Sequence, residues 1–269
     1  MITQKPVVHF TDNYLLNPTN PVTVNLIGAG GTGSQVLTAL ARMSHSLIAL
    51  GHPGLFVRLF DDDVVTKANL GRQLFSKAEL GMHKSAALIA RVNRFFGSNW
   101  KSVASKYDWL PNPKEELFAN ITISCVDTVK ARFTIATVLS KLERQNNGPY
   151  KLIYWMDFGN AQQTGQVIFS TVYPVKQPAS QMYETVGSLP TVTKLYRRQL
   201  KDVQEDDQPS CSMSEALTKQ DLFINTSISA LGSSLLWNLF REGMTFYRGF
   251  FLNLKQFSSN PIPITTSKT

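Results

Sequence analysis

The stretch Gly28-Ala29-Gly30-Gly31-Thr32-Gly33-Ser34 separates two segments with different hydrophobic patterns. Before it, Val22–Ile27 is a short apolar run, which predicts a buried strand. After it, Gly33–Leu50 carries apolar side chains at three- and four-residue spacing, which predicts a helix. A glycine-rich turn between a strand and a helix is typical of sites that bind a nucleotide or dinucleotide, and it decides the class of fold expected here.

The glycines of this turn have distinct physical roles in binding a phosphate. Gly28 permits the tight turn, Gly30 allows the backbone to approach the phosphate, and Gly33 allows the helix to pack closely on the strand. The start of the helix, where Gly31 and Ser34 lie, adds free N–H donors and a partial positive charge. The alternative is a glycine turn without a ligand, which the strand–turn–helix context disfavours.

The rest of the chain continues to alternate between strand-like and helix-like segments. Further strands are predicted at Leu55–Phe60, Ile121–Val126, Leu152–Met156 and Gln166–Val172, and further helices at Lys84–Phe96, Thr128–Glu143 and Ser214–Glu242. Strands that alternate with helices predict βαβ units with helices on both faces of the sheet. The expected fold class is therefore α/β, with a Rossmann-like, doubly wound and mostly parallel sheet.

The chain divides into three predicted parts. Residues 1–21 form an N-terminal extension, residues 22–257 form the nucleotide-binding domain, and residues 258–269 form a tail rich in proline and threonine that is expected to be loose. Within the domain, residues 174–213 contain four prolines and no regular pattern. They are predicted to form a long crossover loop, and we hypothesise that it guards the tail of a partner.

The composition suits a folded protein that binds an anionic partner. The 269 residues are 43% hydrophobic and 17% charged, and the formal net charge is +8. This charge favours a nucleotide, an acidic protein or a nucleic acid, but no groove-reading motif supports nucleic-acid binding. No signal-peptide core and no spanning segment is visible, so we expect no membrane attachment and a cytoplasmic location.

Three adjacent carboxylates, Asp61, Asp62 and Asp63, follow the second predicted strand. A carboxylate at this position can accept hydrogen bonds from ribose hydroxyls, and Asp61, nearest the strand, is the expected ribose ligand. The alternative is a loop of surface acids. If the glycine turn and these carboxylates were the only features considered, they would suggest a nicotinamide-dependent oxidoreductase.

Two further segments favour a triphosphate over a redox dinucleotide. Asn69-Leu70-Gly71-Arg72-Gln73 supplies a rigid guanidinium, and Gly81-Met82-His83-Lys84 supplies an ammonium at the start of a helix. A triphosphate bound to one Mg²⁺ still has a net negative charge. Its pyrophosphate leaving group gains further negative charge during the reaction. Fixed cations stabilise such a group. The alternative is that Arg72 and Lys84 are ordinary surface cations.

Five motifs in this order resemble those of the ThiF/MoeB/HesA superfamily, whose members are ubiquitin-activating-enzyme-like adenylyltransferases. The motifs are Gly28–Ser34, Asp61–Val65, Asn69–Gln73, Gly81–Lys84 and Asp127–Arg132. The resemblance is close over residues 22–135 and weaker over residues 211–240. Within the superfamily, the chain is most similar to the ThiF-type proteins of bacterial PRTRC gene systems.

The resemblance implies a reaction and a set of site residues. Such proteins bind Mg-ATP, join its adenylate to the C-terminal glycine carboxylate of a small ubiquitin-like protein, and release pyrophosphate. The implied roles are ribose binding for Asp61, phosphate contacts for Asn69 and Arg72, stabilisation of pyrophosphate for Lys84, and Mg²⁺ binding for Asp127. Nucleotide contacts are also expected from three other residues of the motifs, Asp63, Gln73 and Thr128.

Two of the site assignments have a structural alternative. Asp127 precedes a predicted helix, so its alternative role is the N-cap of that helix. In sulfur-transferring relatives, a cysteine near the position of Cys211 forms a covalent link to the ubiquitin-like protein, which makes Cys211 a candidate nucleophile. The alternative for Cys211 is a small buried residue, which is also what the apolar surroundings predict for Cys125.

The sequence departs from the family pattern in three respects. The paired CxxC zinc ligands of many relatives are absent, so no zinc is expected. No arginine precedes Val22, although an arginine from this region reaches the ATP of the partner subunit in dimeric relatives. No separate catalytic-cysteine or ubiquitin-fold domain fits in 269 residues. A homodimer is nevertheless expected from the resemblance.

Three functions therefore stay open. The leading one is adenylation of a protein or peptide C-terminus, with sulfur transfer or thioester formation as a further step. The second is a non-catalytic nucleotide-binding or interaction module with a degenerate site. The third is an NAD(P)-dependent oxidoreductase, for which no hydride-site acid or base is visible.

Overall fold

The computed structural model describes residues 5–71, 73–110, 112–143, 148–201 and 220–266, so the predicted site residues Arg72 and Cys211 lie outside the described residues. The strands are β1 Val7–Phe10, β2 Val22–Ile27, β3 Leu55–Phe60, β4 Lys101–Val103, β5 Ile121–Ser124, β6 Tyr154–Asn160, β7 Thr164–Thr171, β8 Glu184–Thr185, β9 Met244–Thr245, β10 Tyr247–Asn253 and β11 Ser258–Pro263. The helices are α1 Asn13–Leu16, α2 Gly31–Ala49, α3 Lys84–Phe96, α4 Lys114–Leu117, α5 Val129–Lys141, α6 Val192–Leu195, α7 Arg197–Lys201 and α8 Ile224–Glu242. Short 3-10 helices lie at Lys67–Asn69, Lys77–Glu79 and Gly148–Tyr150.

An eight-stranded sheet forms the centre of the fold, in the order β11-β10-β7-β6-β5-β2-β3-β4. The five strands from β6 to β4 pair in parallel, and β7, β10 and β11 extend the sheet in antiparallel fashion. The carboxyl ends of β2, β3, β5 and β6 therefore meet at one edge, where open α/β sheets bind ligands. The predicted fold class, a Rossmann-like and mostly parallel sheet, is confirmed.

Helices cover both faces of this sheet. One hydrophobic cluster joins the sheet to α2, α3 and α8, and a second cluster joins it to α5. Tyr154 and Met156 of β6 belong to the first cluster and Trp155 to the second, because alternate side chains of a strand point to opposite faces. Among the described residues, no helix is long and apolar enough to cross a membrane.

The N-terminal segment packs on the domain through a small second sheet, β8-β1-β9. The buried ring of His9 links two other segments, with Nδ1 2.6 Å from the carbonyl oxygen of Val186 and Nε2 3.0 Å from the hydroxyl of Tyr154. Burial lowers the pKa of His9, which favours the neutral ring. Residues 174–201 contain β8 and the short helices α6 and α7. The hydrogen bonds of His9 connect Val186 of this segment to Tyr154 of the main sheet.

Two predictions about the C-terminal region are corrected. The last helix begins at Ile224 and not at Ser214: residues 220–223 are not helical, and residues 214–219 lie outside the description. The tail predicted to be loose from residue 258 contains β11, which pairs with β10. Pro261 and Pro263 suggested a loop, but β11 is an edge strand, where a residue without an N–H donor is tolerated.

Candidate active site

The glycine turn brings the start of α2 against the ends of β2 and β5. Gly28 has a φ of +95°, a left-handed conformation that favours glycine, and a Cβ at this position would lie 2.6 Å from the carbonyl oxygen of Cys125. A Cβ at Gly33 would lie 1.8 Å from the carbonyl oxygen of Gly28. Side chains are therefore excluded from both positions, and the helix approaches the turn as closely as its backbone permits.

Gly30 leaves space that Gly28 and Gly33 do not. A Cβ at Gly30 would meet no described atom nearer than Nε2 of Gln73, at 4.0 Å. Gly30 is also the N-cap of α2 and supplies no side-chain hydrogen bond to the helix. The first N–H groups of α2 thus face an open space, which is the arrangement that binds a phosphate.

This open space belongs to a cavity of about 700 Å³, a size typical of small-molecule sites. Nine of the predicted site residues line it: Gly28, Gly30, Gly31, Asp61, Asp63, Gln73, Lys84, Asp127 and Thr128. Gly33, Ser34 and Asn69 are not among the lining residues. The Ser34 hydroxyl donates to the carbonyl of Gly31, and Oδ1 of Asn69 accepts from Thr66 in a capping box.

Asp61 is held against the glycine turn. Its Oδ2 accepts a hydrogen bond of 2.6 Å from the N–H of Ala29, and its Oδ1 accepts one of 3.0 Å from the N–H of Asp63. Burial raises the pKa of the Asp61 carboxyl to about 6, although the Ala29 hydrogen bond and the charge of Lys84 oppose the shift. At neutral pH the group is a fixed acceptor beside the turn.

Lys84 lies at the start of α3 and points its ammonium to the same cavity. Its Nζ is 2.7 Å from Oδ2 of Asp63, whose side chain is largely exposed, whereas the side chain of Lys84 is buried. An ion pair with one oxygen of an exposed carboxylate is weak. The ammonium of Lys84 can therefore exchange Asp63 for a phosphate oxygen. Lys106 also lines the cavity, with its Nζ 3.7 Å from Oδ2 of Asp62. The sequence analysis did not identify this residue.

Asp127 lies on the turn between β5 and α5, exposed toward the cavity. The N-cap alternative for Asp127 is wrong, because the cap is Thr128, whose Oγ1 accepts a 3.2 Å hydrogen bond from the N–H of Ala131. The carboxylate of Asp127 is therefore not used to cap α5. One carboxylate beside phosphate oxygens is a usual way to bind Mg²⁺.

A buried ion pair stabilises the turn that carries Asp127. Nε of Arg132 is 3.1 Å from Oδ2 of Asp157, and both side chains are almost fully buried. A second guanidinium nitrogen of Arg132 donates to the carbonyl of Val126 at 2.8 Å, one residue before Asp127. The Ser124 hydroxyl donates to Asp157 at 2.6 Å. The motif residue Arg132 thus fixes the turn that carries Asp127 and does not line the cavity.

Gln73 contributes an acceptor that has no hydrogen-bond partner in the part of the chain that the structure describes. Its Oε1 is buried and has no hydrogen-bond partner among the described residues, while its side chain lines the cavity beside Gly30. A buried acceptor without a partner costs about 1–3 kcal/mol, so a bound ligand with a donor at this place would be favoured.

Several cavity residues carry no sequence motif and were missed. Tyr107 and Asp108 follow β4, a short strand that the sequence pattern did not reveal. Lys130 lies on the first turn of α5. Three amide side chains, Asn160, Gln220 and Asn225, line the cavity where β6 ends and α8 begins. Their one sequence signal is position, since Asn160 is the last residue of β6, Asn225 is the second residue of α8, and Gln220 precedes α8.

Cys125 packs against the first hydrophobic cluster, as predicted, but it also borders the cavity, which was not predicted. It is half-buried just after β5 and lines the cavity. Burial, with the nearby charge of Asp157, raises the pKa of its thiol well above the ordinary value, so the thiol stays protonated at neutral pH and is a poor nucleophile.

The cavity fits Mg-ATP in three ways. Gly30 leaves room for a phosphate, Gln73 offers an acceptor without a partner among the described residues, and both carboxylates and cations border one space. Across the described residues, no cluster of three or more His, Cys, Asp or Glu side chains is arranged to hold a metal ion. Mg²⁺ that arrives with phosphate oxygens needs only one or two carboxylates, and the Asp127 carboxylate is exposed at this cavity.

The sequence profile of the ThiF family matches residues 16–262, and the chain belongs to this family. The motifs that resemble the ThiF/MoeB/HesA superfamily are thus part of a match over most of the chain. No match was found in the comparison with curated proteins.

The chain is similar in structure to two proteins with crystal structures. PaaA superposes with a TM-score of 0.58 at 15% identity, over 91% of this chain and 64% of the PaaA chain. E. coli MccB, crystallised with AMPCPP and MccA, superposes with a TM-score of 0.55 at 15% identity, over 96% of this chain and 66% of that chain. At this identity the similarity shows the fold, and the chain spans slightly under two thirds of each neighbour.

Proposed function

We propose that this protein uses Mg-ATP to adenylate the C-terminal carboxylate of a small ubiquitin-like protein or peptide. The observation that carries the proposal is the cavity in which the glycine turn, two carboxylates, Asp61 and Asp127, and the ammonium of Lys84 border one space. Membership of the ThiF family supports ATP-dependent adenylation in the manner of ubiquitin-activating enzymes.

In the proposed reaction, a carboxylate oxygen of the partner forms a bond to the α-phosphorus of ATP. The bond between that phosphorus and the oxygen that bridges to the β-phosphorus breaks, and pyrophosphate leaves with the bonding electron pair. The products are an acyl-adenylate and pyrophosphate. Attacking and leaving oxygens must lie roughly in line through the phosphorus, so the partner and the pyrophosphate occupy opposite sides of it.

The residues of the chain divide this work. The glycine turn and the N–H groups of α2 bind the phosphate, and Asp61 accepts hydrogen bonds from the ribose. Lys84, together with Arg72, stabilises the leaving pyrophosphate. Asp127 would hold Mg²⁺, which neutralises phosphate charge when it is bound.

The partner is proposed by chemical class only. E. coli MccB was crystallised with MccA, which is consistent with a small peptide or protein as the acyl partner of this fold. Sulfur transfer or thioester formation through Cys211, assignment to the PRTRC type, a homodimer and a cytoplasmic location stay predictions. A degenerate nucleotide-binding module is the alternative.

Mg-ATP is expected to raise the melting temperature of the protein, and Asp127→Ala is expected to remove most of that shift. A ligand that binds only the folded state at a hundred times its dissociation constant adds about 2.7 kcal/mol of stability, which a thermal-shift titration detects. Asp62→Ala is the matched control, because it removes a carboxylate of the same cavity to which no ligand role is assigned. Stabilisation by NAD alone would instead support redox chemistry, and no shift with either ligand would support an interaction module whose degenerate site binds no nucleotide.

The affinity for Mg-ATP is expected to decrease as the pH falls through about 6, the pKa of the Asp61 carboxyl. Above this pH the carboxylate accepts hydrogen bonds from ribose hydroxyls, and below it the protonated group accepts them poorly. The measurement is the dissociation constant by calorimetry for the wild type and Asp61→Asn. Because protonation of ATP affects both proteins alike, the ratio of the two constants isolates Asp61. A ratio that stays constant across the range would contradict the assignment.

A further inference from the structure

Uncharged amide side chains line one end of the cavity, where α8 begins. Oδ1 of Asn225 accepts hydrogen bonds from the hydroxyl of Thr32 at 2.8 Å and from Nδ2 of Asn160 at 3.4 Å. Nδ2 of Asn225 donates to Oε1 of Gln220 at 2.9 Å. Asn160, Gln220 and Asn225, with Thr32, form what is called here the amide cluster.

The amide cluster is built into the wall of the glycine turn. Asn225 is buried, and a Cβ at Gly31 would lie only 2.6 Å from its Nδ2, so the side chain packs directly on the turn. One turn further along α8, the Ser229 hydroxyl donates to the carbonyl of Thr32. The cluster therefore joins the first turn of α2 to the start of α8 and to the end of β6.

The amide cluster lies on one side of the glycine turn, and Asp61 and Lys84 lie on the other. The turn follows β2, Asp61 follows β3, and Asn160 ends β6 in the sheet order β6-β5-β2-β3. With strands about 4.8 Å apart, the ends of β3 and β6 are separated by roughly 14 Å. Lys84 begins α3 on the β3 side, and Asn225 lies in the first turn of α8 on the β6 side.

Asn160 has hydrogen-bonding capacity to offer a ligand. It is half-buried at the cavity, and its Nδ2 makes only a long bond to Asn225. Within the described part of the chain, its Oδ1 has no hydrogen-bond partner. A carboxamide presents an acceptor and two donors, which is the complement of the C=O and N–H groups of a peptide.

In-line displacement at the α-phosphorus decides which side the acyl partner takes. Pyrophosphate leaves toward Lys84, so the attacking carboxylate must arrive from the side of the amide cluster. An uncharged subsite suits this task, because a cation would pair with the carboxylate and weaken it as a nucleophile.

We propose that Asn160 binds the main chain of the C-terminal residues of the acyl partner, and that Asn225 is a positioning residue that orients Asn160 against the glycine turn. This inference rests on the proposed function and names the side of the cavity from which the peptide carboxylate enters. The ligand is the extended main chain of a peptide C-terminus, whose carboxylate is the reacting group.

The test uses two adenylate analogues, so no natural partner is needed. Sulfamoyladenosine occupies the nucleotide half of the cavity, and glycylglycyl-sulfamoyladenosine adds the last two residues of a peptide. We expect the wild type to bind the dipeptidyl analogue at least about tenfold more tightly, as one or two hydrogen bonds would give. Asn160→Ala should lose this gain and bind sulfamoyladenosine as the wild type does.

Gln163→Ala is the matched control, since Gln163 lies in the same turn between β6 and β7, is exposed, and does not line the cavity. Asn225→Ala should also reduce the gain, which a purely structural role would not do selectively. An unchanged gain in Asn160→Ala, or no gain in a wild type that binds sulfamoyladenosine, would overturn this inference alone. Failure of the wild type to bind either analogue would overturn the proposed function with it.

Discussion

Gly33→Ala is expected to lower the free energy of unfolding by more than about 3 kcal/mol, among the larger effects seen for single substitutions. The added Cβ would lie 1.8 Å from the carbonyl oxygen of Gly28. That oxygen is backbone in a turn held by β2 and β5, so it cannot rotate away as a flexible side chain would. Urea denaturation followed by circular dichroism measures the change.

Gly30→Ala is the control for this prediction. A Cβ there would meet only the end of the Gln73 side chain, at 4.0 Å, and the backbone of Gly30 is extended. The variant should therefore keep its stability and lose affinity for Mg-ATP, because the methyl group occupies the space left for a phosphate. Equal stability of the two variants would show that the close approach at Gly33 does not hold in solution.

Arg132→Met is expected to destabilise the protein by about 3–5 kcal/mol, the usual cost of leaving one member of a buried ion pair alone. Asp157 is fully buried, and Arg132 is its ion-pair partner among the described residues. The substitution also removes the hydrogen bond to the carbonyl of Val126, so the turn that carries Asp127 is released. Chemical denaturation gives the stability, and calorimetry gives the loss of Mg-ATP affinity.

The double variant Arg132→Met with Asp157→Leu separates the two effects. Replacing both charges by apolar side chains is often neutral, so most of the stability should return. Affinity for Mg-ATP should stay low, because the bond to Val126 is still absent. A double variant no more stable than Arg132→Met would contradict the assignment of the cost to an unpaired carboxylate.

Local patterns accounted for most of the parallel half of the fold. The predicted bounds of β2, β3 and α3 coincide with those in the structure, and α2 differs by two residues at its start and one at its end. These segments are long or strongly patterned, and glycines or caps end them. β4 was missed because it has three residues, and β11 was missed because its prolines are compatible with a strand only at a sheet edge.

Part of the candidate site could also be predicted from local sequence patterns. Motif residues that follow strand ends, such as Asp61 and Asp127, meet at one cavity because parallel strands bring their carboxyl ends to one edge. Asn69 was placed by motif alone, and in the structure its Oδ1 caps a 3-10 helix away from the cavity lining. Sequence spacing cannot distinguish a capping amide from a ligand-binding one.

The sequence by itself determined the glycine turn, the order of strands and helices around it, and the ThiF family. These properties depend on residue types within short windows and on their order along the chain. Only the tertiary structure decided that Arg132 forms an ion pair with Asp157 and that Thr128, and not Asp127, caps α5. It also decided that Asn160 and Asn225 line the cavity. Those contacts connect segments that are far apart in sequence or compete for the same local role, so they exist only once the sheet and its helices are packed.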